Sequence, residues 1–332
     1  MWRTGRVLPI SGGTRLSQDF QHISVVVQGP VQNYKGRTHH EEGITKRCLD
    51  SIRTHLPGAT VILSTWPDQD LSGLDYDLLV ISEDPGQNSD GFCPVNYYRQ
   101  IVSTKAGLAR VTTPYAVKLR SDNFLTGNEF VALQQAFPCS QAEHRVFAEK
   151  VVINANLFRR TSHGQRVIMS PSDFFYYGRT DDLRKIWDQP PFTQQPFAAE
   201  LMAQATRRSA GEPALEAEQV YCQIWLKALL PERTPLMASR FTSRQQDITF
   251  WESFLASNII IADPENSGIG LRKISIRKLK RANEYSHIDW LRLYRKYCDA
   301  RQPLTYTAQQ LLLELRRLFK LPLSKLIYKW SH

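Results

Sequence analysis

The chain has 332 residues, 42% of them hydrophobic, and 42 Lys and Arg against 32 Asp and Glu give it a net charge of +10. That length allows one large domain or two ordinary ones with a proper core, and since no run nears ~18 uninterrupted apolar residues, no transmembrane helix is expected. Five dispersed cysteines (Cys48, Cys93, Cys139, Cys222 and Cys298), without a C-x-x-C or Cys/His cluster, argue against a zinc site or a disulfide framework and fit a reducing cytosol.

Residues 1–22 read as a polar lead-in, and Arg3, Arg6 and Arg15 lack the apolar stretch that would make them part of a secretory signal. I-S-V-V-V-Q-G-P (23–30) is an almost continuous β-branched run ending in Gly29 and Pro30, the pattern of a strand buried on both faces and stopped by a loop. The polar connection over 32–43, with Lys35, Arg37, His39 and His40, is long, and long loops in compact domains are often functional. Residues 45–55 predict a helix with Cys48, Leu49 and Ile52 on one face, closed by Pro57 and Gly58. Residues 60–66 predict a second buried strand, and 78–82 a third that ends in Glu83 and Asp84. Residues 96–111 predict a helix with Tyr97, Ile101, Thr104, Leu108 and Val111 on one side. Pro114 starts a fourth strand over 115–122, where Tyr115, Val117 and Leu119 alternate with smaller or polar residues. Four apolar strands separated by helices or long crossovers imply a parallel doubly wound sheet.

The second half is less regular. Residues 145–154 predict a strand, 174–179 an aromatic strand, and 180–187 a helix whose Asp181 and Asp182 suit the positive end of its dipole. One helix is expected around 197–207 and a strong one over 212–230, with Leu215, Val220, Ile224 and Leu226 on its apolar side. Residues 237–262 mix loop with two apolar pieces. The charge is concentrated at the end: residues 271–332 hold 15 Lys and Arg against 4 Asp and Glu. In 305–330, Leu311 to Trp330 interleave apolar residues with Arg316, Arg317, Lys320, Lys325 and Lys329. Pro322 predicts a break into two short amphipathic helices, which suit an anionic membrane surface. The alternative is that the apolar side packs on the domain.

The chemistry centres on the fourth strand, which ends in Arg120, Ser121 and Asp122. A carboxylate just past the C-terminal end of a buried strand stands where open α/β sheets bind ligands. There Asp122 can hold a divalent cation against a ligand diphosphate, because hard cations prefer oxygen. Arg120, on the same side of the strand, can neutralise phosphate. The alternative is a turn-capping Asp122 paired with Arg120. Arg99 lies near the start of the helix over 96–111, close to Asn96, a candidate cap, and an arginine at a helix N-terminus suits an anionic phosphate.

The strings V-V-V-Q-G-P-V (25–31), I-L-S-T-W (62–66), N-Y-Y-R-Q-I-V-S-T-K-A-G-L (96–108), K-L-R-S-D (118–122) and S-D-F-F-Y-Y-G-R-T-D-D-L (172–183), with S-H-I-D-W-L-R-L-Y (286–294) further on, resemble the WavE-type lipopolysaccharide-synthesis family. The loops after strands one, three and four resemble those of the glycosyltransferase A-type fold. This resemblance implies a Rossmann-like, mostly parallel sheet flanked by helices over 23–270, with 271–332 as a basic helical C-terminal extension. It also implies a nucleotide-sugar across the strand ends, in contact with Gln28, Gly29, Pro30, Asp84, Asn96, Arg99 and Arg120. The family's D-x-D-like motif would hold Mg²⁺ or Mn²⁺ at Asp122. Its first carboxylate is Arg120 here, so either Asp122 alone holds the cation with the diphosphate, the expected arrangement, or cationic side chains replace the metal. The acceptor base of such transferases opens a helix past this motif, which points to Glu218 and Glu216, with Asp173 next. The expected activity is sugar transfer to a lipopolysaccharide core or related bacterial surface glycan, in the cytoplasm or peripherally on the inner face of the plasma membrane. The alternatives are a nucleotidyl- or phosphosugar transferase on the same sheet edge and a non-enzymatic, basic-tailed binding protein. No nucleic-acid partner is expected, because no nucleic-acid motif accompanies the basic segment.

Overall fold

Strand β1 (Ile23–Gln28) is buried at every position because it lies inside a seven-stranded sheet with both faces covered. The computed structural model describes residues 19–32, 43–86, 97–206, 214–242, 244–264, 267–271 and 281–331. The lead-in up to residue 18, the segment with Lys35, Arg37, His39 and His40, and Asn96, Cys93 and Glu212 lie outside these. After β1 come α1 (Ile44–His55), β2 (Thr60–Thr65), β3 (Leu78–Ile81), α2 (Tyr97–Leu108), β4 (Tyr115–Arg120), β5 (Asn123–Leu125), α3 (Glu129–Gln135), β6 (Val151–Asn154), β7 (Thr161–Ser162) and β8 (Gln165–Arg166). There follow β9 (Phe175–Arg179), α4 (Thr180–Trp187), α5 (Ala198–Thr206), α6 (Ala217–Leu229), α7 (Gln245–Asn258), β10 (Ile259–Ala262), β11 (Ile269–Leu271), α8 (His287–Tyr297) and α9 (Ala308–Ser331).

The sheet runs β10-β6-β9-β4-β1-β2-β3. Strands β4, β1, β2 and β3 are mutually parallel, β6 and β10 are parallel to each other, and β9 is antiparallel to both β4 and β6. Strands β6 and β10 therefore point the same way as β4. The expected Rossmann-like, mostly parallel sheet forms, and the C-terminal ends of its parallel strands share one edge. The core carries aromatic residues on both sides of β9: Phe130 meets Phe175 and Tyr177 edge-on, while Tyr176 packs against Trp187, itself stacked on Tyr221. Helix α2 lies close over β1 because it carries Gly107. A Cβ there would sit 2.3 Å from Val26 Cγ1, so only glycine permits this approach.

Several elements depart from their sequence reading. β3 is an edge strand, and its Leu78, Leu79 and Ile81 are exposed. β6 begins at Val151 rather than at 145, because the preceding amides are taken by side chains. Asn258 Oδ1 accepts from the Val146 and Phe147 N–H groups, and the Asp182 carboxylate accepts from those of Ala148 and Glu149. α6 begins at Ala217 instead of 212, so buried Leu215 precedes the helix. Pro322 does not break the C-terminal segment: α9 is one helix with Pro322 inside it. Interior proline costs a helical hydrogen bond, but this helix is held on both sides of it. Arg317 is bound to Asp289 and backbone carbonyls, and the Tyr328 ring contacts His163 and Phe241. α8 joins the same core through Trp290 and Tyr294, which pack edge-on against Phe137.

Candidate functional site

Four strand ends and one helix start enclose a cleft of about 760 Å³. The end of β1 supplies Gln28, Gly29 and Pro30, the loop after β2 supplies Trp66 and Gln69, and the loop after β3 supplies Glu83 and Asp84. The end of β4 supplies Arg120, Ser121 and Asp122, and the first turn of α2 supplies Arg99 and Gln100. Ligands bind in this position relative to an open parallel sheet because neighbouring strand ends diverge there and leave a crevice.

The loops around the cleft are tied by backbone bonds. Gly29, with a φ of 115° that favours glycine, donates its N–H to Ser64 O at 3.1 Å, and a Cβ on it would press on Ser121 Oγ at 3.2 Å. Ser121 N–H donates to Gln28 O at 2.9 Å and Ser121 Oγ to Pro30 O at 2.7 Å, so the β1 and β4 ends are laced together. Gln28 is buried, and its Oε1 accepts from Ser103 Oγ of α2 at 2.9 Å.

Among the described residues two arginines carry the positive charge of the cleft, and each grips a carboxylate. Arg99 meets Asp84 with two parallel bonds, Nε to Oδ1 at 2.6 Å and Nη2 to Oδ2 at 2.7 Å, and this guanidinium holds the Asp84 carboxyl below its usual range. Arg120 meets Asp122 in the same forked way, both bonds at 2.9 Å, and its third nitrogen donates to Asp173 Oδ2 at 3.0 Å. Its guanidinium lies 4.8 Å from the centroid of the Phe174 ring. The pairing of Arg120 with Asp122, one of the two readings open in the sequence, is therefore present.

This geometry bears on a metal. Both Asp122 oxygens are engaged by Arg120, and among the described residues no group of three or more His, Cys, Asp or Glu can hold an ion. A cation at Asp122 would have to displace the guanidinium or share its oxygens with it. The residues as arranged therefore fit a protein-held Mg²⁺ or Mn²⁺ poorly, and the cations that line the cleft, Arg99 and Arg120, stand among Asp68, Glu83, Asp84 and Asp122.

Behind Arg120 lies a buried group of charges. Lys118 is fully buried, its ammonium 4.7 Å from the centroid of the Trp187 ring, and it donates to the backbone carbonyl of Asp173. Burial pushes it down to about 7. Asp173 also accepts from Gln100. Burial works to raise the Asp173 carboxyl, but the Arg120 and Lys118 charges and the two hydrogen bonds hold it below the usual carboxylate range.

The three candidate bases separate clearly. Asp173 and Glu218 line one small recess with Tyr97, Gln100, Trp187 and Tyr221, and Gln100 also lines the main cleft. Glu218 sits in the first turn of α6, half-buried, and burial together with the nearby Asp173 charge pushes its carboxyl up to about 7. Glu216 is not in this recess. It precedes α6 as its N-cap, accepts from Arg159 at 2.8 Å and lies 3.6 Å from Arg240. Of the residues singled out in the sequence, Gln28, Gly29, Pro30, Asp84, Arg99, Arg120 and Asp122 come together in the cleft, and Asp173 and Glu218 sit beside it. Trp66, Gln100, Ser121 and Lys118 were missed as site residues, although all four lie within the quoted strings. The signal was present, but polar and aromatic residues on helices and strands read as core or surface until their neighbours are known.

A family model described as WavE lipopolysaccharide synthesis matches residues 23–323, nearly the whole chain. No curated protein matches it.

Proposed function

Because the chain belongs to the WavE lipopolysaccharide-synthesis family, we propose that it is a glycosyltransferase that moves a sugar from a nucleoside-diphosphate donor to a lipopolysaccharide core or a related surface glycan. The observation that carries this reading is the convergence of two carboxylate-braced arginines, Arg99 and Arg120, on one cleft at the parallel strand ends. Bracing holds the guanidinium charge in position before the donor arrives, so stabilising the leaving diphosphate requires little reorganisation. Trp66 offers an apolar ring to the base or sugar, as ligand clefts commonly do.

In the proposed reaction the acceptor hydroxyl oxygen attacks the anomeric carbon of the donor. The bond from that carbon to the diphosphate oxygen breaks, and Arg120 and Arg99 receive the charge that collects on the diphosphate. Glu218 takes the hydroxyl proton. A base with a value near the operating pH serves this step best, and the Glu218 carboxyl, at about 7, suits it. Asp173 is held ionised by Arg120 and Lys118 and is the weaker base, so its role is to orient Arg120 and Gln100. Glu216, tied to Arg159 and Arg240, supports the start of α6. No step passes through a metal.

The test is a panel of nucleotide-sugars with lipopolysaccharide core acceptors and purified full-length protein. Acceptor-dependent release of nucleoside diphosphate is expected. Release of pyrophosphate would identify a nucleotidyl transferase instead, and stabilisation by no donor in a thermal-shift screen would overturn the reading.

A further inference from the structure

Helix α9 has two faces with different tasks. Its inner face is fixed to the protein. Arg317, only 4% exposed, donates to both Asp289 oxygens at 3.0 and 2.8 Å, to Glu284 O at 2.6 Å and to Ala282 O at 3.3 Å. Three turns on, the Tyr328 ring stands 4.9 Å from that of His163 and 5.7 Å from that of Phe241. Gly164 lies so close that a Cβ on it would be 2.2 Å from Leu321 O. Arg317, Leu321 and Tyr328 follow helical spacing, so the roll of the helix about its own axis is determined.

The opposite face points outward and is apolar. Leu312, Leu315, Phe319, Leu326 and Trp330 follow one another on it, and Phe319 and Trp330 are 76% and 85% exposed. At about 100° per residue, Arg316 and Lys320 fall on one flank of this stripe and Lys325 and Lys329 on the other. The acidic residue of the helix, Glu314, is turned inward and paired with Arg317. A stripe of exposed Leu, Phe and Trp bordered on both sides by cations matches a surface that is apolar within and negatively charged at its boundary. A second copy of the helix fits poorly, because face-to-face pairing would bring basic flank against basic flank.

We propose that the outward face of α9 seats the protein on an anionic phospholipid bilayer, with the helix lying in the plane of the interface. The apolar stripe enters the boundary between headgroups and acyl chains, and the four flanking cations meet the lipid phosphates. The inner-face contacts hold the domain to the helix, so seating the helix also fixes the domain's orientation. A second cavity, of about 420 Å³, borders the first half of α9 through Leu312, Leu313 and Arg316, and Asn156 and Asp263 at the ends of β6 and β10 form its other wall. The seated helix therefore adjoins the sheet edge that carries the donor cleft. The proposal does not depend on sugar transfer.

The experiment is flotation of the full-length protein with vesicles of phosphatidylcholine alone or with about a third phosphatidylglycerol. Binding to the anionic vesicles is expected, weakening with salt, with little binding to the neutral ones. Each basic residue near such a surface is worth about a factor of 5 in partition, so Lys320→Gln, Lys325→Gln and Lys329→Gln together should lower it about a hundredfold. Phe319→Ser with Trp330→Ser should lower it at least about tenfold. All five side chains lie on the outward face or its flanks, so both variants should melt as wild type does. Equal binding to the two vesicle types would overturn the proposal, as would undiminished binding by either variant. A solution dimer that the Phe319→Ser, Trp330→Ser variant dissolves would mark this face as a subunit interface instead, and loss of the cooperative melt would mark it as core.

Discussion

Replacing Glu218 with glutamine should make the protein more stable and less active together. The side chain keeps its size and loses its charge. In the fold its carboxyl is raised to about 7 from an ordinary 4.5, because burial and the Asp173 charge both oppose ionisation. Ionising it in the folded state therefore costs on the order of 3 kcal/mol, and solvent screening of the partly exposed group brings that to about 2 kcal/mol. The sign follows from linkage. A carboxyl raised in the fold contributes its full stability below pH 4.5 and loses it as pH rises toward about 7. Glutamine does not ionise, so Glu218→Gln should match wild type below pH 4.5. It should gain on wild type between 4.5 and 7 and keep a constant advantage of several degrees in melting temperature above that. Transfer should fall about 10²–10⁴-fold, the usual contribution of a general base. Wild-type kcat/KM should itself decline as pH drops below about 7 and Glu218 takes up a proton. Melting curves across pH, paired with a nucleoside-diphosphate release assay, read both effects. A glutamine variant that melts below wild type at alkaline pH would refute the burial argument, and one that transfers at the wild-type rate would refute the base.

Arg120→Lys should weaken donor binding at least about tenfold, because a lysine cannot make the forked contact, and isothermal titration with nucleoside diphosphate reads this. Unchanged affinity would remove the guanidinium from the diphosphate. The same variant should melt lower, since Asp122 and Asp173 are buried and both lose their bonds to the guanidinium. Chelating divalent cations should leave transfer unchanged, and a full loss that Mn²⁺ restores would put a cation at Asp122 in place of the guanidinium. Gly107→Ala should cost about 1–3 kcal/mol in denaturant unfolding, because the new methyl meets Val26 Cγ1 at 2.3 Å and α2 must lift from β1. Lifting α2 also shifts Arg99 and Gln100, so donor affinity should fall with stability, and an unaffected affinity would uncouple the helix from the cleft.

The sequence by itself determined the half of the sheet that carries the cleft. β1, β2 and β4 are buried on both faces, so their apolar runs are continuous, and a continuous run ending in Gly29-Pro30 or Arg120-Ser121-Asp122 also marks which end faces the ligand. That is why Gln28, Gly29, Pro30, Arg120 and Asp122 could be placed at strand ends, while Asp84 follows the exposed edge strand and Arg99 lies at the start of a helix. Tertiary structure decided whatever depends on partners far apart in the chain. β6 starts late because Asn258 and Asp182 take the amides before it, and α9 continues past Pro322 because Arg317 and Tyr328 are held from outside the helix. Glu218 and Glu216 look alike at one helix start, and only the fold gives one of them Arg159 and the other Asp173. Arg120 likewise lies two residues from Asp122, but its link to Asp173 spans 53 positions. Local pattern reports burial and chain direction. Charge depends on which groups meet across the sheet edge, and only the folded chain decides that.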